Sequence, residues 1–507
     1  MREIIELDMS KCPKLDTNAD LYEMRSQRAN YDVRDCSSEV SIFVLGYKNL
    51  EKTKACVESI FKYTKDIDFD LWLIDNGSPD ETFEYYKTIE YDKLHILHLT
   101  EGRGIGIPEM NLSVNMLAKY FVYIMNDLVL TPNWLSNMLT VAKSDPKIGI
   151  VHPMSSNVSN RQLIDFQFKN DEEMQEIAAK HNISDPKKWE ERIRIMTLAT
   201  LYTKECMLAI GMPLYDVGFF HNFLDDDVVF KARRAGYKAV LAGDTWVHHN
   251  DDKLLLSEEE RKNFISEINF GRKLFKEKYL GIDAWDDVNN FIPEILYNLK
   301  PSKTAEEVKI LGIDVRCGTP ILELKNGYRR QNIFKASCYA YTTEGKYMID
   351  LQTVCGAEKV FSGPIEGFQD DVEENSFDSI VIERDINTFN DPFRVIKGAY
   401  GLLKKDGQLF ISLKNTQDLF SLLEMLGRHI KKVDNVALNY KIEDFLGCLA
   451  NRKYNYKFIG TRLYNENVLG NDLKGIAEKI LKLTGAPNID ETFCRLCSDR
   501  FFILITK

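Results

Sequence analysis

Four short polar segments have the residue types to gather a metal ion and a phosphate. Asp75-Asn76-Gly77-Ser78 closes an apolar run, with Asp80 just beyond; Asn126-Asp127 closes another; Asp225-Asp226-Asp227 opens a helical pattern; and His248-His249-Asn250 ends a run that contains Trp246. Carboxylate oxygens suit a hard divalent cation, Mg²⁺ or Mn²⁺. Such a cation bridges a diphosphate and offsets charge as a nucleotide leaves. Asp127 is the expected metal ligand, and a neutral imidazole from His248 or His249 would complete its sphere or touch a phosphate. Asp75 could accept hydrogen bonds from a nucleobase or ribose, where a buried acceptor discriminates. Asn76, Gly77 and Ser78 make a turn that can approach a ligand closely. A carboxylate of the 225–227 triplet could take the proton of an acceptor hydroxyl as its oxygen attacks a donor carbon. Singly, each acid also reads as a turn residue or helix cap, and the histidines as core or surface groups. Three adjacent acids exceed what one cap requires.

These groups act together only if the chain brings them to one edge. VSIFVLGY (40–47), FDLWLIDNGS (69–78), LHILHL (94–99) and YFVYIMND (120–127) are apolar runs of buried-strand type. Helical patterns separate them over 50–64, near 80–90 and over 108–119. Strand-helix alternation predicts a parallel α/β sheet, whose ligands sit beyond the carboxyl ends of the strands. Gly46, Tyr47, Lys48 and Asn49 end the first strand there. IGIVHPMS (148–155) is a further strand; 171–195 reads as a charged helical stretch; 197–211 as a strand into a helix; 223–236 as a helix closed by Gly236; 239–250 as a strand; and 257–276 as an amphipathic helix.

The 507 residues exceed one hydrophobic core, and the 44% hydrophobic and 28% charged content is ordinarily globular. The pattern divides into an arm over 1–37, an α/β domain over 38–282, a linker over 283–305 carrying Pro293 and Pro301, and a second α/β domain over 306–507. A net charge of −11 without a long basic run argues against nucleic acid. Ten scattered cysteines, of which only Cys494 and Cys497 are close, fit reduced thiols and no zinc site. The charged start MREIIELDMSKCPKL lacks an apolar signal core, so no signal peptide is expected, and no apolar run reaches membrane-spanning length. A cytoplasmic protein is expected, with a homodimer left open. In the second domain VKILGID (308–314), YMIDL (347–351), FDSIVIE (377–383) and QLFISLK (408–414) are strand candidates, FRVIKGAYGLL (393–403) a helix, and FFILITK an edge or inserted strand.

Taken together, VSIFVLGYKNLEKTKACVESI, LWLIDNGSPDET, YIMNDLVLTPNWL, FLDDDVVFKARRAGY and DTWVHHN resemble the inverting family 2 glycosyltransferases over residues 38 to about 270. The resemblance implies a GT-A fold, a nucleotide-sugar donor and single displacement with inversion. It implies that Gly46, Tyr47, Asn49, Asp75, Asn76, Asn111, Asn126 and Asp127 meet the donor, and that Asp127 holds the metal with His248 or His249. The family's acid-x-acid motif falls on Met125-Asn126-Asp127, its first acid replaced by Met125. Asp225, or its neighbour Asp226, matches the catalytic base, with Leu224 in place of the preceding Glu. The family's leaning to UDP sugars makes UDP-GlcNAc the first donor expected. Ser/Thr of a surface-destined protein such as flagellin, or a cell-surface glycan, is the expected acceptor. VKILGIDVRCGTPILELKN and SFDSIVIERDINTFNDPFRVIKGAYGLLKKDGQLFISLKN resemble class I methyltransferases that use S-adenosylmethionine, which implies a Rossmann-like fold. Arg316 and Pro320 stand where the cofactor loop has glycines, and no ribose-binding acid follows the second strand, so S-adenosylmethionine is not expected and this domain is read as non-catalytic, docking the acceptor or a partner. Three readings compete: a glycosyltransferase joined to a live methyltransferase, an inactive sugar-nucleotide scaffold, and a nucleotidyltransferase, for which GYKNLEK (46–52) is a poor phosphate loop.

Overall fold

The computed structural model describes residues 3–7, 38–102, 118–211, 214–216, 218–219, 222–250, 258–300, 306–419, 438–463, 475, 479, 481–483, 485 and 488–507. The chain divides into two compact units, Met1–Asn289 and Asn290–Lys507. Both are α/β, each built around one mixed sheet.

Among the described residues the first unit has ten strands: β1 (Glu3–Leu7), β2 (Val40–Gly46), β3 (Phe69–Asp75), β4 (Leu94–Leu99), β5 (Tyr120–Met125), β6 (Leu128–Val129), β7 (Ile148–Ser155), β8 (Trp189–Arg192), β9 (Ala199–Thr203) and β10 (Lys238–His249). Their order is β1-β4-β3-β2-β5-β9-β7-β10-β6, with β8 beside β10. Neighbours from β1 to β5 are parallel, and β9 enters antiparallel between β5 and β7. Every residue of β2 and β3 is buried, as a sheet covered on both faces requires. On one face Ile42, Val44, Leu71, Leu73, Val122 and Ile124 share a core with helices α1 (Leu50–Tyr63) and α3 (Trp134–Ser144); α2 (Thr82–Thr88) adds Tyr86. On the other, Phe43 stacks on Trp72 and Phe121 on Tyr202. The register aligns Gly46 with Asp75 and Leu45 with Met125, which brings three strand ends to one edge.

The charged stretch from 171 breaks earlier than its composition suggests. Helix α4 (Asp171–His181) stops where Asn182 turns inward, its amide donating to Thr131 and to the Pro132 carbonyl and accepting from Trp246 N. Pro186 follows, and Trp189–Arg192 becomes strand β8 against β10. Helices α5 (Lys204–Ile210), α6 (Leu224–Arg234) and α7 (Glu258–Lys278) complete the unit. Among the described residues no helix is long and apolar enough to cross a membrane.

The second unit begins with α8 (Pro293–Asn298), inside the stretch read as a linker. Ile292, Ile295 and Leu299 are buried there, and a Cβ on Gly327 would stand 2.8 Å from Leu299, so this segment is packed. Its seven strands are β11 (Glu307–Ile313), β12 (Lys335–Thr342), β13 (Val360–Ser362), β14 (Phe377–Ile382), β15 (Leu403–Lys414), β16 (Asn455–Leu463) and β17 (Ser498–Thr506), in the order β13-β12-β11-β14-β15-β17-β16. The sheet is parallel as far as β15. Strand β17, which takes in all of FFILITK but its last residue, is inserted antiparallel between β15 and β16. Helices α9 (Thr319–Arg330), α10 (Met348–Cys355), α11 (Pro392–Leu402), α12 (Ile442–Asn451) and α13 (Ile489–Leu496) connect them. YMIDL is a correction: it enters α10, not a strand. Tyr347, Leu351 and Cys355 are buried at four-residue spacing while Ile349 is exposed, a helical period that five residues cannot display.

Candidate active site

Two turns at the carboxyl edge of the first sheet are woven together. Lys48 and Asn49, with φ of 61° each, carry the chain from β2 into α1. Lys48 N donates to Ser78 Oγ at 3.1 Å, Leu50 N to Asp80 at 3.3 Å, and Asn76 N to the Gly46 carbonyl at 2.9 Å. A Cβ on Gly77, whose φ is 64°, would lie 2.3 Å from Gly102 N, so only glycine closes this turn. Gly46 is equally confined, a Cβ there reaching the Tyr86 hydroxyl. Tyr47, by contrast, is exposed at the rim.

Asp75 and Asn126 stand at this edge as structural holders. Asp75 is wholly buried; its oxygens accept from Ser78 N at 3.1 Å and face His98 Nδ1 at 2.7 Å. Phe83 stacks on the His98 ring. The Asn126 amide donates to the Lys48 carbonyl at 3.0 Å and to Thr53 Oγ1 at 2.8 Å, pinning the β2–α1 turn from beneath. Asn111 lies outside the described residues.

Asp127 faces the end of β10. His249 Nε2 is 3.3 Å from Asp127 Oδ2, and its Nδ1 is 3.2 Å from the Asn157 carbonyl. A carbonyl only accepts, so Nδ1 donates to it; in the neutral tautomer this leaves, Nε2 turns a lone pair toward the carboxylate, whereas an imidazolium would pair with it. In the neutral form two acceptors face each other, and Asp127 Oδ1 is buried without a hydrogen-bond partner among the described residues. That arrangement fits a cation, with the Asn157 carbonyl supplying the outer contact that orients a ligating histidine. Asn157 Nδ2 and Ser156 fix the His249 backbone, and Asn250 N donates to the Asp127 carbonyl. His248 is not brought to Asp127. Successive side chains on a strand point to opposite faces, and His248 meets Ser156 Oγ and the Phe168 ring, where burial lowers its pKa. Among the described residues no group of three or more His, Cys, Asp or Glu side chains could hold a metal. Asp127 and His249 are the two groups brought together here that could ligate a cation.

The acid triplet opens α6 behind Phe223, whose φ is 73°. Its three members have separate fates. Asp227, fully buried, accepts from the Tyr279 hydroxyl at 2.6 Å and pairs with Lys278 and Lys231. Asp226 is gripped by both arms of the Arg194 guanidinium. Asp225 is half-buried and lines a pocket of about 210 Å³ together with Met125, Leu45, Thr200, Tyr215 and Trp285. Burial first, and then the neighbouring Asp226 charge, push its carboxyl up to about 7, against the pull of Arg194. Met125 and Leu45 end β5 and β2, so this pocket joins Asp225 to the strand edge that carries Asp127. Sequence reading had no signal for His98, Arg194 or Asn157, because each meets its partner from 23, 32 or 92 residues away.

In the second unit the corresponding crevice lies between the ends of β11 and β14, where the strand order reverses. The chain's own side chains cross it. Arg316 pairs with Glu383 at 3.2 Å and Arg384 with Asp314 at 3.5 Å; Arg500 from β17 joins Glu383 and Asp385. Asp314 also accepts from Thr343 N at 2.7 Å, and Thr342, not an acid, ends β12. Arg316, with φ of 54°, and Pro320 occupy the turn that would have to wrap a cofactor. These residues do not fit S-adenosylmethionine.

Residues 41–205 match the family model described as Glycosyl transferase family 2. An uncharacterized protein, y4gI, of Sinorhizobium fredii is 32% identical over 116 residues, which is 22% of this chain and 13% of the relative's length. Among solved structures, the mannosyltransferase PcManGT from Pyrobaculum calidifontis, in complex with GDP-Man and Mn²⁺, is 17% identical, covering 46% of this chain and 65% of its own at a TM-score of 0.32. A SAM-dependent methyltransferase from Archaeoglobus fulgidus is 15% identical, covering 46% of this chain and 99% of its own at a TM-score of 0.29.

Proposed function

We propose, from the premise that residues 41–205 are a family 2 glycosyltransferase domain, that this chain moves a sugar from a nucleoside diphosphate to an acceptor hydroxyl in one inverting displacement. The observation that carries the proposal is the Asp127–His249 pair, set on the strand edge that the Asp225 pocket also reaches. A divalent cation, Mn²⁺ or Mg²⁺, held by Asp127 and His249 would neutralise the diphosphate as it leaves. The interlocked turns 46–49 and 75–78 form the floor for the nucleoside. Asp225 takes the proton of the acceptor hydroxyl, a task suited to a carboxyl pushed up to about 7. Asp226, the second acid expected to be catalytic, acts through its neighbour because Arg194 occupies both of its oxygens.

The donor class is a UDP sugar, with UDP-GlcNAc the first to try. The acceptor is a surface-destined molecule, Ser or Thr of a protein such as flagellin or a cell-surface glycan, and the second unit is where it docks. The test is a panel of UDP and GDP sugars incubated with the full chain, with and without Mn²⁺, and read as released nucleoside diphosphate. Turnover of one donor that requires the metal and disappears in Asp225→Asn is expected. Donor binding without any turnover would make the domain a sugar-nucleotide scaffold instead.

A further inference from the structure

We propose that Arg194 is a positioning residue of the transfer reaction: by holding Asp226 it leaves Asp225 as the one acid of the triplet open to the acceptor hydroxyl. The proposal rests on the glycosyltransferase reading above. Arg194 lies between β8 and β9, 32 residues from its partner, and reaches the start of α6 across the pocket wall. Its planar fork meets both oxygens of Asp226, Nη2 at 3.3 Å and Nε closer. The pair is sealed, Asp226 exposing 1% of its side chain and Arg194 11%. Asp227 is already taken by Lys231, Lys278 and Tyr279. Asp225 lines the pocket beside Asp226 and Arg194, is less buried than Asp226 and Asp227, and accepts from the Asp226 backbone N–H at 3.0 Å.

The charges that act on Asp225 are few. From its own helix come Asp226 and, one step further, Asp227. From β9 comes Tyr202 and from the segment before α6 Tyr215, joined hydroxyl to hydroxyl at 3.0 Å. Burial raises both phenols, so they stay neutral. Among the described residues the electrostatics of Asp225 therefore reduce to one anion, Asp226, and one cation, Arg194. Without the guanidinium, Asp226 becomes an uncompensated buried anion beside the base, and Asp225 gives up its proton only at higher pH.

The experiment compares kcat/KM against pH for the wild type, Arg194→Met, Arg194→Lys and Asp226→Asn, with UDP binding and tryptophan fluorescence confirming the fold. The rising limb of Arg194→Met should move up by at least one pH unit, which is at least about a fivefold loss at pH 7, approaching tenfold at lower pH, that recovers at high pH. Arg194→Lys should bring the limb most of the way back. Should Arg194→Met fail to fold, Asp226→Asn still decides, because removing the anion must move the limb down. A loss of equal factor at every pH in Arg194→Met, or an unmoved limb in Asp226→Asn, overturns the proposal. Asp225→Asn run beside them separates the two levels. If it retains wild-type turnover, the base assignment itself has failed; if it is dead while the limbs stay fixed, only the role of Arg194 has.

Discussion

Asp225→Asn should abolish turnover and at the same time make the first unit more stable, by an amount that depends on pH. The carboxyl is pushed from its ordinary 3.8 up to about 7 in the folded chain, by burial and by Asp226. Between those two values the folded protein keeps a proton that the unfolded chain has released, so this residue's contribution to stability falls as pH rises. At about 1.4 kcal/mol per pH unit the loss has a ceiling of about 4 kcal/mol, complete above pH 7 and absent below the unfolded value. Partial exposure and the charge shared with Asp226 reduce it, and about 2 kcal/mol is the expected effect at pH 8.5. Asparagine does not titrate and still accepts from the Asp226 backbone N–H. All five tryptophans, Trp72, Trp134, Trp189, Trp246 and Trp285, lie in the first unit, so urea unfolding read by fluorescence follows that unit. Wild type and variant should unfold at nearly the same urea concentration at pH 4.5, and the variant later at pH 8.5. A variant no more stable at pH 8.5, or a gain equal at both pH values, would refute the assignment of Asp225 as a strained, high-affinity proton acceptor.

Three further outcomes follow from the same geometry. His249→Ala should lower Mn²⁺-dependent turnover by at least tenfold, whereas His248→Ala, on the opposite face of β10, should change it less than threefold; steady-state kinetics with metal titration read both. Asn126→Ala should cost about 1–3 kcal/mol in urea unfolding, because the Lys48 carbonyl and Thr53 lose a buried donor, and should raise the donor KM as the β2–α1 turn loosens. Calorimetric titration of the full chain with S-adenosylmethionine should give no saturable heat, and Glu383→Ala should destabilise the second unit by about 3 kcal/mol in scanning calorimetry, since it leaves Arg316 and Arg500 without their shared anion.

What could be read from the sequence follows from how local each cause is. Strands β2, β3, β5 and β7 announce themselves as apolar runs that end in polar residues, and their order implies the sheet edge on which Asp75 and Asp127 stand. The start of α6 is equally local, since three acids and Gly236 bracket it. Roles within the site depend on pairings across the fold. Nothing in Asp225-Asp226-Asp227 says which acid remains open until Arg194, Lys278 and Tyr279 arrive from elsewhere. The two histidines differ only by the alternation of β10, whose phase needs the sheet to define it. In the second unit the substitution Arg316 is visible, but its pairing with Glu383 joins residues 67 positions apart, just beyond the ends of two strands. The helix over Met348–Cys355 was hidden because a five-residue apolar run carries no period.

In the proposed reaction Asp127 and His249 share a cation against the diphosphate of a donor, on the edge from which Asp225 works. Crystals of the full chain grown with UDP and Mn²⁺, and measured at the manganese absorption edge, address it directly. An anomalous peak bonded to an Asp127 oxygen, His249 Nε2 and the UDP phosphates, with the pyrophosphate over the 46–49 and 75–78 turns, is the result expected. Manganese bound away from both residues, or UDP bound with its phosphates far from this pair, would contradict it.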